Sequence, residues 1–142
     1  MPVKTLAVDV TTARPDTSVT DLAQTMLDAE LGDLVIAEDD TPVGIVTDRD
    51  IALAVAQHDD LSDLTAEDVM TSDPVTIHED ATAVDLPATM AEGRVRRIPV
   101  VDDDGNLTGI ATLDDVVATA GEMLDDVATV IEGQSREFES DE

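Results

Sequence analysis

Apolar positions along this chain follow two rhythms, and the pair of rhythms occurs twice. Val19, Leu22, Ala23, Met26 and Leu27 recur every three to four residues, which is the spacing of one helix face. Two short apolar runs follow, Leu34 to Ala37 and Val43 to Val46, joined by a polar turn. That is the signature of a strand hairpin. The same order returns later, with Ile98 to Val101 and Leu107 to Ala111 flanking Asp104-Gly105-Asn106, a stronger turn signal than the first. A short extended stretch precedes each helix, Val10 to Ala13 and Val75 to Ile77. The spacing predicts first helices over 18–31 and 82–92 and second helices over 48–57 and 113–131. Each unit is therefore β-α-β-β-α.

The repetition is visible residue by residue. Asp16 to Met26 aligns with Asp80 to Met90, and Gly44 to Ile51 aligns with Gly109 to Val116. The second offset is one residue longer, and the extra residue falls in the hairpin turn, where insertions are tolerated. Ser18 or Thr17 can cap the first helix, with Asp21 behind Ser18, and Thr82 and Asp85 repeat that spacing. Gly32 and Gly93 stand where a helix C-terminus takes a left-handed residue. Pro87 sits just inside the second unit's first helix; past the first turn it would cost a hydrogen bond, so that helix is expected to start late or bend. Residues 1–60 form the first repeat, 61–132 the second, and 133–142 an acidic, flexible tail. A half of this size buries too little apolar surface to be stable alone. Two copies packed face to face with pseudo-two-fold symmetry close one shared core, an α/β (α+β) architecture.

Composition narrows the function. The 142 residues carry 34 acids against 7 bases, a net charge of −27, and Lys4 is the sole lysine. Nucleic acid and membrane surfaces would repel such a chain. Strong periodicity argues against disorder, despite the charge. The acidic, Lys-poor composition resembles that of proteins from salt-loving archaea, in which salt screens self-repulsion. There is no cysteine, so disulfides and thiolate chemistry are excluded. No signal peptide or run of about 20 apolar residues is visible, and a soluble, cytoplasmic protein is expected. His58 and His78 have no His or Cys neighbour in sequence, so zinc is not expected. Asp102 to Asp104 reads as a solvated turn. Asp48 with Asp50, or Asp114 with Asp115, could form an acid/base pair, but no nucleophile, metal set or oxyanion donor accompanies them, and no enzyme is inferred.

The repeated strings carry chemistry. In Gly44-Ile-Val-Thr-Asp-Arg-Asp-Ile51 and Gly109-Ile-Ala-Thr-Leu-Asp-Asp-Val116, a Thr ends a strand and an Asp lies three residues into a helix. One reading is a capping box, Thr47 with Asp50 and Thr112 with Asp115. The other adds a ligand: a helix N-terminus suits a phosphate, and a carboxylate one turn in can accept two ribose hydroxyls. Gly44 and Gly109 would let a ligand approach the backbone. Arg94, Arg96 and Arg97 form a basic cluster, with Arg49 in the first string. They either pair with surface carboxylates or clamp a phosphate.

Both strings fit the signature of the cystathionine-β-synthase-type (CBS) domain, and Asp68 to Thr76 and Arg97 to Gly105 look like a CBS repeat's start and central hairpin. The chain resembles a tandem CBS pair over about residues 7–131. In the first copy Leu6-Ala7 stands where the second has Met70-Thr71, and Gly32-Asp33 where it has Arg96-Arg97, so two unequal clefts are expected. The resemblance implies ribose contacts at Asp50 and Asp115. Phosphate contacts fall at Thr47 and Thr112, with Arg49, Arg94, Arg96 and Arg97 as the clamp. An adenine pocket is implied near Thr11, Ile45, Val75, Thr76 and Ile110. The expected function is a regulatory module that senses AMP, ADP or ATP, forms a homodimer and signals to an effector protein. Rival readings are an interaction module without nucleotide and a binder of S-adenosylmethionine.

Overall fold

The computed structural model describes residues 1–140. Its elements are β1 (Thr12–Ala13), α1 (Val19–Ala29), β2 (Asp33–Glu38), β3 (Thr41–Thr47) and α2 (Asp48–Gln57), then a connection holding α3 (Ala66–Val69) and β4 (Thr71–Ser72). The second series is β5 (Ile77–His78), α4 (Asp85–Gly93), β6 (Arg97–Val101), β7 (Leu107–Thr112) and α5 (Leu113–Ser140). The expected β-α-β-β-α order is thus present twice. In each lobe the first strand runs parallel to the second across the intervening helix, and the hairpin that follows is antiparallel.

Local chemistry explains most boundaries. Ser18 Oγ accepts from the Asp21 backbone N–H at 3.1 Å and caps α1. Val19, Leu22 and Met26 form its buried face, but Ala23 and Leu27, expected in that stripe, are exposed. α4 begins at Asp85, later than the start of the expected 82–92 helix. Pro87 then falls in the first turn, where its missing N–H costs nothing. The expected Thr82 cap is replaced by a backbone bond from Asp85 N to Thr82 O at 2.9 Å. The left-handed residues that end α1 and α4 are Glu30 and Arg94 (φ 56° and 55°), not Gly32 and Gly93. Gly93 answers a different need, because a Cβ there would lie 2.9 Å from Val75 Cγ2. The first hairpin turns on Asp39 and Asp40, both left-handed, and the second has Gly105 at φ 80°. α5 runs past residue 131 to Ser140, so 133–140, expected as tail, are helical; no proline interrupts that stretch. Residues 141–142 of the expected tail lie outside the described residues.

Two separate cores form in place of the single shared core expected, and neither follows the sequence division at 60/61. Val3 is fully buried among Ile77, Leu86, Met90, Ile98, Val100 and Ala111 of the second lobe. Val3 and Lys4 donate backbone bonds to Ala81 and Glu79, and Val8 bridges Ile110 on β7. In return, Ala66 is buried with Leu22, Met26, Leu34, Ile36 and Val46 of the first lobe, and β4 pairs with β3 at Gly44 and Ile45. Each repeat's leading segment therefore completes the other repeat's sheet and core. The exchange locks the lobes together and fixes what lies between them.

Candidate functional site

A cleft of about 660 Å³ opens between the lobes. From the first lobe it takes the end of β3 and the start of α2: Ile45, Thr47, Asp48, Arg49 and Asp50. From the connection and second lobe come Thr71, Asp73 to Val75, and Gly93 to Arg97. At its floor the capping box is complete. Asp50 Oδ2 accepts from Thr47 N at 2.9 Å, and Thr47 Oγ1 accepts from Asp50 N at 3.1 Å. That arrangement holds both side chains at the cleft wall and uses Oδ2, so Oδ1 is available for a further donor.

The electrostatics set this cleft apart from the rest of the surface. Four of the chain's seven basic residues, Arg49, Arg94, Arg96 and Arg97, line it. Among the described residues Arg49, Arg94 and Arg96 make no ion pair within 4 Å, whereas Arg97 pairs with Asp33. The carboxylate reading of the cluster is therefore realised for Arg97. Asp33 and Arg97 are structurally equivalent residues: each opens its lobe's second strand, opposite Thr47 and Thr112 respectively. Burial of Asp33 pushes its carboxyl above the ordinary value, partly offset by the Arg97 guanidinium and reinforced by Asp48. Sequence reasoning does not place Asp33, Asp48 or Asp73 at a ligand cleft, although the alignment of Gly32-Asp33 with Arg96-Arg97 holds the clue for Asp33.

The second copy's residues are arranged differently. Thr112 and Asp115 form the equivalent cap, with Thr112 Oγ1 donating to Asp115 Oδ2 at 2.9 Å. Thr112 lines a smaller cleft of about 220 Å³ with Arg96, Arg97, Leu113 and Asp114. Asp115 lines neither of these two clefts. Of the expected adenine pocket, Ile45 and Val75 line the large cleft, while Thr11 and Thr76 are exposed outside it and Ile110 is buried in its sheet. The glycines are not ligand approaches. A Cβ on Gly44 would collide with the Met70 side chain, and one on Gly109 would lie 2.9 Å from the Val8 carbonyl oxygen. Both make room for the exchanged segments.

His78, Asp80 and Asp103 gather within 4.8 Å, a grouping invisible in the sequence. His78 Nδ1 accepts from Asp80 N at 3.0 Å, so Nε2 carries the proton that meets Asp103 Oδ1 at 2.6 Å. With both ring nitrogens engaged, and Asp80 held by Lys4 at 3.0 Å, the group is a hydrogen-bonded network and not a ready metal cage. No helix is long and apolar enough to cross a membrane among the described residues.

Known proteins share this architecture. The CBS domain family model matches residues 3–57 and again 66–122. YlbB of Bacillus subtilis is 37% identical over 128 residues, covering 84% of each chain. The CBS domain pair of protein MJ0100, solved with 5′-methylthioadenosine and S-adenosyl-L-methionine, superposes with a TM-score of 0.77 at 30% identity, covering 87% of this chain and 98% of that one. CBSX2, solved with AMP, superposes with a TM-score of 0.72 at 27% identity, covering 86% and 97%.

Proposed function

This chain belongs to the CBS domain family, and from that premise we propose that it is a regulatory module that binds an adenosine nucleotide of the AMP/ATP class in the large inter-lobe cleft. The observation that carries the reading is the concentration of four arginines at one cleft of a chain with net charge −27. An anionic ligand is attracted there and repelled elsewhere. In this reading Asp50 accepts the ribose hydroxyls through Oδ1. Thr47, Arg49, Arg94 and Arg96 face the phosphates. Ile45 and Val75 supply apolar walls for the base. Relatives solved with AMP and with adenosyl sulfur compounds support an adenosine-type ligand. The protein would be cytoplasmic and homodimeric, and it would act through an effector protein.

A second reading has a specific observation behind it. Asp48, Asp50 and Asp73 also line the cleft, and carboxylates suit the positive sulfonium of S-adenosylmethionine. Thermal unfolding in molar KCl with AMP, ADP, ATP, S-adenosylmethionine or no ligand separates the two. A nucleotide at 100 times its dissociation constant adds about 2.7 kcal/mol. Asp50→Ala should remove that gain, and Asp115→Ala should leave most of it. Stabilisation by S-adenosylmethionine alone selects the second reading. No stabilisation by any of them leaves an interaction module without nucleotide.

A further inference from the structure

The first turn of α2, which opens onto the large cleft, is already filled. A helix start leaves its leading N–H groups without intrahelical partners, and such groups suit a phosphate. Here each has an acceptor. Thr47 N donates to Asp50 Oδ2 at 2.9 Å, and Asp48 N donates to the Gly32 carbonyl at 3.0 Å. Arg49 N donates to Asp48 Oδ1 at 2.8 Å, and Asp50 N donates to Thr47 Oγ1 at 3.1 Å. The second copy differs at one of these places. Leu113 stands where the first has Asp48, and a Leu side chain offers no acceptor to the Asp114 N–H.

Asp48 also reaches toward the arginines. A Cβ on Gly32 would lie 3.4 Å from Asp48 Oδ2 and 3.9 Å from Arg97 Nη2, so carboxylate and guanidinium both lie against that glycine. The charge of Asp48 is felt at Asp33, the partner of Arg97. Asp48 is itself exposed, so its placement serves no packing. A carboxylate that accepts from a helix N–H beside a guanidinium holds the position a phosphate group would take.

An incoming anion therefore meets a small set of donors. Among the described residues the Thr47 hydroxyl accepts from Asp50 N and donates to nothing, which leaves its proton for a ligand. Arg49, Arg94 and Arg96 are free of ion pairs there, and Arg97 is not. Around the cleft, four guanidiniums stand against the carboxylates of Asp33, Asp48, Asp50 and Asp73. One phosphate can be satisfied by Thr47 and the three arginines. Each further phosphate adds negative charge where Asp48 already stands, and finds no α2 N–H to receive it.

We propose that Asp48 is a specificity-determining residue of the large cleft: it occupies the place of a second phosphate, so that the site selects a nucleoside monophosphate over the di- and triphosphate. This selectivity rests on the nucleotide reading of the cleft and narrows it to one member of the class.

The experiment is isothermal titration of the full chain with AMP and with ATP, in molar KCl without divalent cations. AMP should bind the parent chain at least roughly tenfold more tightly than ATP, the scale of one hydrogen bond to a charged group. Asp48→Ala frees the Arg49 N–H and removes the charge, and should narrow that ratio by roughly tenfold. Asp48→Asn keeps an acceptor for the N–H and loses only the charge, so it should narrow the ratio by roughly threefold. Its near-identical shape keeps the test decisive if Asp48→Ala fails to fold. Asp73→Asn removes a cleft carboxylate that accepts from no α2 N–H, and should narrow the ratio less than either Asp48 variant. ATP binding the parent chain as tightly as AMP, or a ratio that neither Asp48 variant moves, overturns the proposal and leaves the nucleotide reading standing. An equal effect of Asp73→Asn overturns it too, since selection would then follow from the charge of the cleft and not from Asp48. Binding of neither nucleotide to the parent chain overturns both.

Discussion

Asp33 and Arg97 show how one pair of residues can bias a cleft. They occupy equivalent places in the two repeats but carry opposite charges, and they meet where the lobes join. While Arg97 is held by Asp33, the anion-binding power of the cleft rests on Arg49, Arg94 and Arg96. Replacing Asp33 with Asn frees Arg97 and removes a negative charge beside the cleft. Isothermal titration should then show AMP binding tightened by roughly threefold or more, equivalent to about 0.7 kcal/mol. Unchanged affinity would mean that Arg97 does not face the ligand. The same variant has a pH signature. Burial holds the Asp33 carboxyl above its ordinary value of 3.8, so the folded chain keeps that proton more tightly than the unfolded one. Its contribution to stability is full below about pH 4 and declines as pH rises through the folded value. Urea denaturation across that window should show a flatter pH profile for Asp33→Asn than for the parent chain.

At the scale of elements, the exchanged segments explain two glycines that resemble ligand-approach positions in the sequence. Gly109 faces the Val8 carbonyl oxygen, which is backbone held by its bridge to Ile110 and cannot swing away. Gly109→Ala should therefore cost about 1–3 kcal/mol in urea denaturation. Gly121 lies inside α5, where an added Cβ would meet nothing within 4 Å, so Gly121→Ala should instead stabilise by roughly 0.5–1 kcal/mol. Opposite signs for these two substitutions would show that the first loss comes from crowding and not from the change of residue type. The hairpins, capping boxes and delayed start of α4 were legible because each depends on neighbours within a few residues. The left-handed helix ends at Glu30 and Arg94 were not. The nearby glycines looked better suited, and at Gly93 the cause of the glycine is the close packing of Val75, remote in sequence.

For the whole molecule, charge is the dominant stress. Against 34 acids the described residues form few ion pairs, and two of the three, Lys4–Asp80 and Arg14–Asp16, involve exposed partners. Such pairs are each worth about 0–1 kcal/mol and cannot offset the self-repulsion of a −27 chain. Screening by salt can, since the Debye length falls to about 3 Å at 1 M. Dialysis from molar KCl into dilute buffer should therefore lose helical circular dichroism and recover it when salt returns. Full retention of structure in dilute buffer would remove the link between composition and salt requirement.

The sequence by itself determined the repeat, the order of its elements and the presence of an Asp-bearing cap in each copy, because helix period, strand runs and capping are local and are written in spacing. It also assembled most of the arginine cluster, since three of the four are close neighbours in the chain. Only the tertiary structure decided that each repeat's leading segment belongs to the other lobe. It also decided that Asp50 and not Asp115 faces the large cleft, and that Arg97 is held by Asp33. Those outcomes depend on contacts between residues from tens to about a hundred positions apart, which hydrophobic patterning does not encode and the packing of two similar but unequal units against each other does.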